Sequence, residues 1–394
     1  MSDFIFRRID KQAEIEEFDR ISAFSFSIKN DNQSNYLKRH MKIFDDGREF
    51  FISEKSGKIT SGFINFDYQM KMGERYFRTG GVGDVCSLSS SRGSGGINFL
   101  FEEYLNYLYE NNYTFSILNP FSYRFYRKYG YELFADIKKL NIDTGAIKKI
   151  IPDKHITAEE SEFNEDINNY FNSYNFLYNN FVMRDKKEWD HNLFMFGNNE
   201  VKRGIIKFSS EGKITGLLSY IYTYEGDRKI FTVPLFIYSD FDTQTAMMNY
   251  LKGLSYQINE LIISVSDSHR LWLNLDEGYR LRPFYTILLR VIKPENIKNM
   301  KINCEKDFSV NIETEDRNIA GNNAVWNLEC IKGILNINKS SGKNDFKTDI
   351  NSFSSLVSGY SDFNELIYGR KIIKTGNKDI PDIKKRNNYF CDFF

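Results

Sequence analysis

The stretch 82–132 constrains the fold more than any other part of this chain. It reads as an apolar strand ending in Asp84-Val85-Cys86-Ser87-Leu88, a loop Ser89-Ser90-Ser91-Arg92-Gly93-Ser94-Gly95-Gly96, and a helix opening at Ile97. A short strand, Tyr113-Thr114-Phe115-Ser116-Ile117-Leu118, comes next, and then Phe125-Tyr126-Arg127-Lys128-Tyr129-Gly130-Tyr131. A strand that runs through a glycine loop into a helix aims free backbone N–H groups, and the positive end of a helix dipole, at one spot. That spot suits a pyrophosphate. The glycines let the amides approach phosphate oxygens closely. The loop is not of the Walker type, because no Lys-Ser/Thr follows, and the Gly-x-Gly-x-x-Gly spacing of a dinucleotide fingerprint is missing.

The elements around this stretch define a mixed α/β unit over residues 1–143. A strand is expected at 4–9 and helices at 12–27 and 34–44. Strands at 49–53, 59–70 and 76–88 are separated by turn signals at Ser56-Gly57 and Met72-Gly73. The helix after the loop puts Ile97, Leu100, Phe101, Tyr104, Leu105 and Leu108 on one face, the spacing of a helix packed on a sheet. Strands at 113–118 and 131–141 flank a short helix containing Tyr126, so the sheet is antiparallel first and crosses over near its end.

A polar stretch, 143–168, reads as a boundary, and the α/β pattern then recurs over 144–293. A helical segment is expected to end near Met183-Arg184-Asp185, with Trp189 shortly after. Strands at 204–209, 214–224 and 230–238, a helix at 243–257 and a strand at 261–265 repeat the earlier element order. Ile237-Tyr238-Ser239-Asp240-Phe241-Asp242 stands where the glycine loop should be, so this unit reads as an inactive duplication. From Pro294 onward a small α+β domain, 294–394, is expected, with strands at 300–303, 307–313, 324–328 and 333–337 and helices at 352–358 and 362–368.

The tail Asn387-Asn388-Tyr389-Phe390-Cys391-Asp392-Phe393-Phe394 carries 4 aromatics in 8 residues. Leaving it exposed forfeits about 2 kcal/mol of burial per ring, so it is expected to dock. The adjacent Lys384-Lys385-Arg386 reads as a solvated linker.

Composition excludes several classes. Formal net charge is +0, so no field favours nucleic acid or anionic lipid. No run approaches the ~18 apolar residues needed to span a bilayer, and the first residues lack the apolar core of a secretory signal. Four scattered cysteines (Cys86, Cys304, Cys330, Cys391) fit neither a disulfide framework nor a zinc site. The four histidines are equally isolated. A soluble cytoplasmic protein without metal is expected.

The strand–loop–helix–strand–tyrosine order resembles the GNAT N-acetyltransferase superfamily, and in its details the enhanced intracellular survival (Eis-like) acetyltransferases. The carrying residues are Gly83-Asp84-Val85-Cys86-Ser87, the Arg92 to Ile97 loop and Phe125-Tyr126-Arg127-Lys128-Tyr129-Gly130-Tyr131. Arg184-Asp185 followed by Trp189, Leu289-Arg290-Val291-Ile292 and the Phe-ending tail add to it. The resemblance implies a catalytic GNAT domain at 1–143, a GNAT-like domain without cofactor at 144–293, and a sterol-carrier-protein-2-like domain at 294–394. It implies acetyl-CoA as co-substrate, an amine acceptor (an aminoglycoside-like polyamine or a protein or peptide lysine), and a homo-hexamer. Tyr126 is implied as general acid, and the terminal carboxylate of Phe394 as general base. Cofactor contacts are implied for Val85, Cys86, Ser87, Arg92, Gly93, Ser94, Gly95, Gly96, Ile97, Asn98, Phe121 and Ser122. The loop holds one arginine and four serines where relatives are usually more basic, so a second reading is a non-catalytic protein that uses the sterol-carrier-like domain for an apolar ligand.

Overall fold

The computed structural model describes residues 3–174, 180–194, 201–266, 269, 271–386 and 388–392. Strand β1 (Ile5–Arg8) is followed by helices α1 (Gln12–Ser25) and α2 (Asn30–Asp45), then by β2 (Glu49–Lys55), β3 (Lys58–Met72) and β4 (Arg75–Ser87). Helix α3 (Gly96–Glu110) leads to β5 (Phe115–Leu118), and α4 (Tyr123–Arg127) to β6 (Glu132–Ile142). The buried face of α3 is the one its spacing dictates: Leu100, Phe101, Tyr104, Leu105 and Leu108 are inaccessible and pack with Phe51, Phe63 and Tyr126.

The next segment holds β7 (Thr157–Ser161), α5 (Glu165–Ser173), β8 (Asn180–Val182) and α6 (Lys186–Phe194). The helical segment expected to reach Met183 instead ends at Ser173. Asn180–Val182 is a strand whose Val182 pairs with Met70, covering the part of β3 that β2 does not reach. Strands β9 (Lys202–Ser210), β10 (Lys213–Glu225) and β11 (Arg228–Tyr238) form an antiparallel meander. Helix α7 (Phe241–Gly253) then crosses to β12 (Glu260–Val265), which lies parallel to β11. This repeats the β2–β3–β4–α3–β5 order, in which β4 and β5 are likewise parallel.

The long strand β13 (Tyr279–Val291), of which sequence patterning marks only the end, joins the two halves. It inserts between β5 and β6, while β6 pairs on its other side with β12. A single sheet of 13 strands results, in the order β1-β2-β3-β4-β5-β13-β6-β12-β11-β10-β9-β7 with β8 on β3. Each half is therefore closed by a strand from the other's stretch of sequence.

The C-terminal stretch builds a second sheet from β14 (Met300–Lys301), β15 (Phe308–Glu315), β16 (Ala324–Ile331), β17 (Ile334–Ser340), β18 (Phe346–Asp349) and β19 (Ile372–Lys374), with helices α8 (Ile350–Ser358) and α9 (Phe363–Tyr368). Helix α8 packs Phe353 and Leu356 into the same core as Ile287 and Leu289 of β13, and its Ser354 hydroxyl accepts from the Val291 N–H at 2.9 Å. No helix among the described residues is long and apolar enough to cross a membrane.

Candidate active site

Parallel β4 and β5 stay paired only as far as Val82 opposite Leu118. Beyond that point β4 runs on through Gly83 to Ser87 with no described strand on that side, so the sheet opens there. The opening begins with a bulge. On the β3 side Ile64 pairs with Gly83 and Gly62 with Cys86, so Asp84 and Val85 together oppose Phe63 alone. Asp84 adopts φ +51°, a left-handed conformation that costs a non-glycine residue about 1–2 kcal/mol and that Asp tolerates better than most.

A buried charge cluster holds this bulge. The Asp84 carboxylate accepts from Arg39 Nη1 at 2.7 Å and lies 3.2 Å from His40 Nε2. On the other side of the ring, His40 Nδ1 lies 2.6 Å from Asp19 Oδ1. Both imidazole nitrogens thus face carboxylate oxygens, which requires the doubly protonated ring. Burial pulls the His40 pKa down, but the hydrogen bonds to Asp19 and Asp84 outweigh it and the net shift is upward. Burial likewise acts to raise the Asp84 carboxyl, yet Arg39 and His40 hold it well below the usual carboxylate range.

After β4 the chain makes a short 3-10 turn (Ser89–Ser91), passes Arg92, Gly93 (φ +82°) and Gly95 (φ +93°), and enters α3. Gly95 is the N-cap, and no side chain caps the helix, so the amides of its first turn are left for an outside acceptor. A Cβ built at Gly93 or Gly95 meets nothing within 4 Å, so the space above the loop is open. The corresponding end of α7 is closed. There Asp240 accepts from the Thr243 N–H at 2.8 Å, and a carboxylate occupies the place a phosphate would take.

The loop is more basic in space than in sequence. Lys128, from the end of α4, donates to Asn98 Oδ1 at 2.7 Å in the first turn of α3, and the Tyr129 hydroxyl shares that oxygen. Arg92 lies toward the end of α1, 5.9 Å from the Phe24 ring centroid, and lines a cleft of about 650 Å³ with Arg20 and Gln33. This donor set fits a pyrophosphate-bearing co-substrate.

Tyr126 sits on α4, the helix that follows β5 on the other lip of the opening. Its ring is 1 % exposed, packed against Phe101, Phe121, Phe125 and Tyr131, and its hydroxyl has no hydrogen-bond partner among the described residues. Burial, reinforced by Tyr131, raises its pKa, so the phenol stays protonated throughout the neutral range. Helix α4 is capped by Ser122, whose Oγ accepts from the Phe125 N–H at 3.3 Å. Its exit turn is held by Arg290 of β13, which donates to the Tyr129 carbonyl and pairs with Asp316 at 2.6 Å, both side chains fully buried. Gly130 (φ +82°) must be glycine, since a Cβ there would collide with the Arg290 guanidinium.

The structure thus brings Val85, Ser87, Arg92 to Asn98, Phe121, Ser122 and Tyr126 to the two lips of one opening. Cys86 differs from its neighbours: its side chain is buried in the main core, and burial raises its thiol pKa. Only its backbone can face the opening. Phe394 lies outside the described residues. The tail leading to it is docked as expected, with Tyr389, Phe390, Cys391 and Asp392 buried. Arg184 holds it, donating through Nε to Asp392 Oδ1 at 2.6 Å and through Nη2 to the Cys391 carbonyl at 3.1 Å. One part of the tail reading is corrected: Lys385 is exposed but Arg386 is buried, because its stem crosses Gly359 at the end of α8. Isolated spacing conceals the roles of His40, Arg39 and Lys128; the signal for Arg184 and Arg290 is their place in the Arg184-Asp185 and Leu289-Arg290-Val291-Ile292 motifs.

The strand-opened α/β sheet with an uncapped helix after its fourth strand lies in the part of the chain that the Acetyltransferase (GNAT) domain family matches, residues 6–134. Solved structures extend the likeness to the whole chain. A GCN5-related N-acetyltransferase from Anabaena variabilis is 18 % identical with a TM-score of 0.86, covering 99 % of this chain and 100 % of its own. A probable N-acyltransferase from Enterococcus faecalis is 18 % identical with a TM-score of 0.82, covering 98 % and 100 %. Eis1 from Mycobacterium abscessus is 13 % identical with a TM-score of 0.78, covering 99 % and 100 %. No curated protein matches the chain.

Proposed function

We propose that this chain transfers the acetyl group of acetyl-CoA to an amine, by direct attack in a ternary complex. The observation that carries the reading is the opening between β4 and β5, with the uncapped α3 on one lip and the free Tyr126 hydroxyl on the other. The α3 amides, Lys128 and Arg92 bind the pyrophosphate, and Phe121 and Ser122 border the pantetheine. A backbone N–H within Val85 to Ser87, set by the Asp84 bulge, polarises the thioester oxygen. The amine nitrogen bonds to the acetyl carbon and gives up a proton as the C–S bond breaks. Tyr126 supplies the proton that the leaving thiolate takes up.

The terminal carboxylate of Phe394 is the base in this reading, supported by the family resemblance and by the docked tail before it. An α-carboxylate ordinarily has a pKa of ~3.5, and desolvation strengthens such a group as a base. The recurrence of the β2–β3–β4–α3–β5 order in β9 to β12, and the separate C-terminal sheet, support the division into a catalytic unit (1–143), a cofactor-free repeat (144–293) and a sterol-carrier-like unit (294–394). The resemblance extends the proposal to a homo-hexamer, which sedimentation analysis tests.

Thiol release from acetyl-CoA, measured with a panel of polyamines, aminoglycosides and lysine peptides, tests the function. Release with at least one amine is expected. No release with any of them, together with no CoA retained on the protein, would support the apolar-ligand binder instead.

A further inference from the structure

We propose that Arg386 marks a binding site for a small oxyanion, a carboxylate or a phosphate, in the cavity between β6, α9 and the base of the tail. The cavity measures about 470 Å³ and is bordered by Phe134, Asp136, Tyr360, Glu365, Lys385 and Arg386. Three of its four charged residues are already satisfied. Lys385 pairs with Glu365, and Asp136 accepts from Thr286 Oγ1 at 2.6 Å and from the Tyr360 hydroxyl at 3.1 Å.

Arg386 is the exception. It is 9 % exposed, no described oxygen accepts from its Nε, and its Nη1 reaches only the Met300 sulfur at 3.7 Å. No ion pair forms to it among the described residues. Burial lowers its pKa to about 10, which still leaves it charged at neutral pH. A buried charge without a counter-ion is costly, and folded proteins pair or hydrogen-bond such groups. Here the residue is held in place deliberately. Its backbone N–H donates to the Gly359 carbonyl at 2.9 Å, and its stem lies where a side chain at Gly359 would be, 2.7 Å from that glycine's ideal Cβ. A guanidinium fork so fixed matches the two oxygens of a carboxylate or phosphate. The site is separate from the acyl-transfer opening and stands whether or not that reading holds.

The test is thermal unfolding of the full chain in a chloride buffer at constant ionic strength, titrated with inorganic phosphate and, separately, with malonate. At least one of the two raises the wild-type midpoint by about 2–4 °C and saturates; which one does so distinguishes a phosphate from a carboxylate ligand. Arg386→Met abolishes the rise while keeping the anion-free midpoint at or above the wild type, because it removes an unpaired buried charge. Lys385→Gln retains the rise. Neither anion moving the wild type, or Arg386→Met keeping the shift, overturns the proposal. Should Arg386→Met not fold, Arg386→Lys keeps a charge without the fork and raises the half-saturating anion concentration at least tenfold; an unchanged value overturns it.

Discussion

Asp392→Asn separates the docking of the tail from the stability of everything else. The Arg184–Asp392 pair is 2.6 Å long, with side chains 3 % and 0 % exposed. The guanidinium lies against the rings of Phe171 (4.4 Å) and Trp189 (4.7 Å), so it cannot turn out to water when its partner is neutralised. Leaving such a charge unpaired costs about 3–5 kcal/mol. The asparagine oxygen, still accepting from Nε, offsets about 1 kcal/mol of that. The remaining ~2–4 kcal/mol lowers the ratio of docked to undocked tail by roughly 30- to 1000-fold, at about 1.4 kcal/mol per decade. Native-state hydrogen exchange reads this directly. The amides of Tyr389 to Asp392 exchange faster by that factor, while those of β3 and β4 keep their protection, because the tail opens locally. Unchanged exchange in the tail refutes the energetic argument. Equal acceleration everywhere refutes the idea that the pair serves the tail alone.

Further outcomes follow from the same geometry. Tyr126→Phe lowers kcat by about 10²–10⁴-fold with little change in the KM for acetyl-CoA, measured by initial rates; a KM effect alone contradicts the acid role. Asp84→Asn keeps a side chain that tolerates the left-handed bulge but leaves Arg39 and His40 without their shared carboxylate, so stability falls by about 2–4 kcal/mol in urea unfolding. The His40 pKa is raised on folding, so its contribution is complete below the unfolded value of about 6.5 and is lost as pH rises through the folded one. The midpoint difference between wild type and His40→Gln is therefore largest on the acid side of that window and shrinks toward alkaline pH. A difference that stays constant with pH contradicts the charged ring.

The parts of the site that sequence reveals are those built by neighbours in the chain. Gly93, Gly95 and the apolar spacing of α3 are local signals, and the loop and helix form where they predict. The order of β9 to β12 is legible for the same reason. What sequence conceals is brought together over long separations. His40 meets Asp19 and Asp84 from residues 21 and 44 positions away, and no spacing rule marks such a trio. Lys128 reaches Asn98 only because α4 folds back over α3. The insertion of β13 between β5 and β6 pairs residues 137 or more positions apart, such as Tyr279 with Ile142, a pairing decided by the whole sheet. Arg386 misleads for a further reason: beside two lysines a third cation reads as solvated, and only the bare Gly359 shows where its stem can pass.

The central claim is that the opening between β4 and β5 is a catalytic site completed by the far end of the chain. Thiol release from acetyl-CoA, run with the same amine panel on the native chain and on one extended by a few residues after Phe394, tests it most directly. The account predicts turnover by the native protein with at least one amine, and its loss on extension, with acetyl-CoA binding retained. An extended chain that turns over as fast as the native one removes Phe394 from the chemistry and contradicts the account.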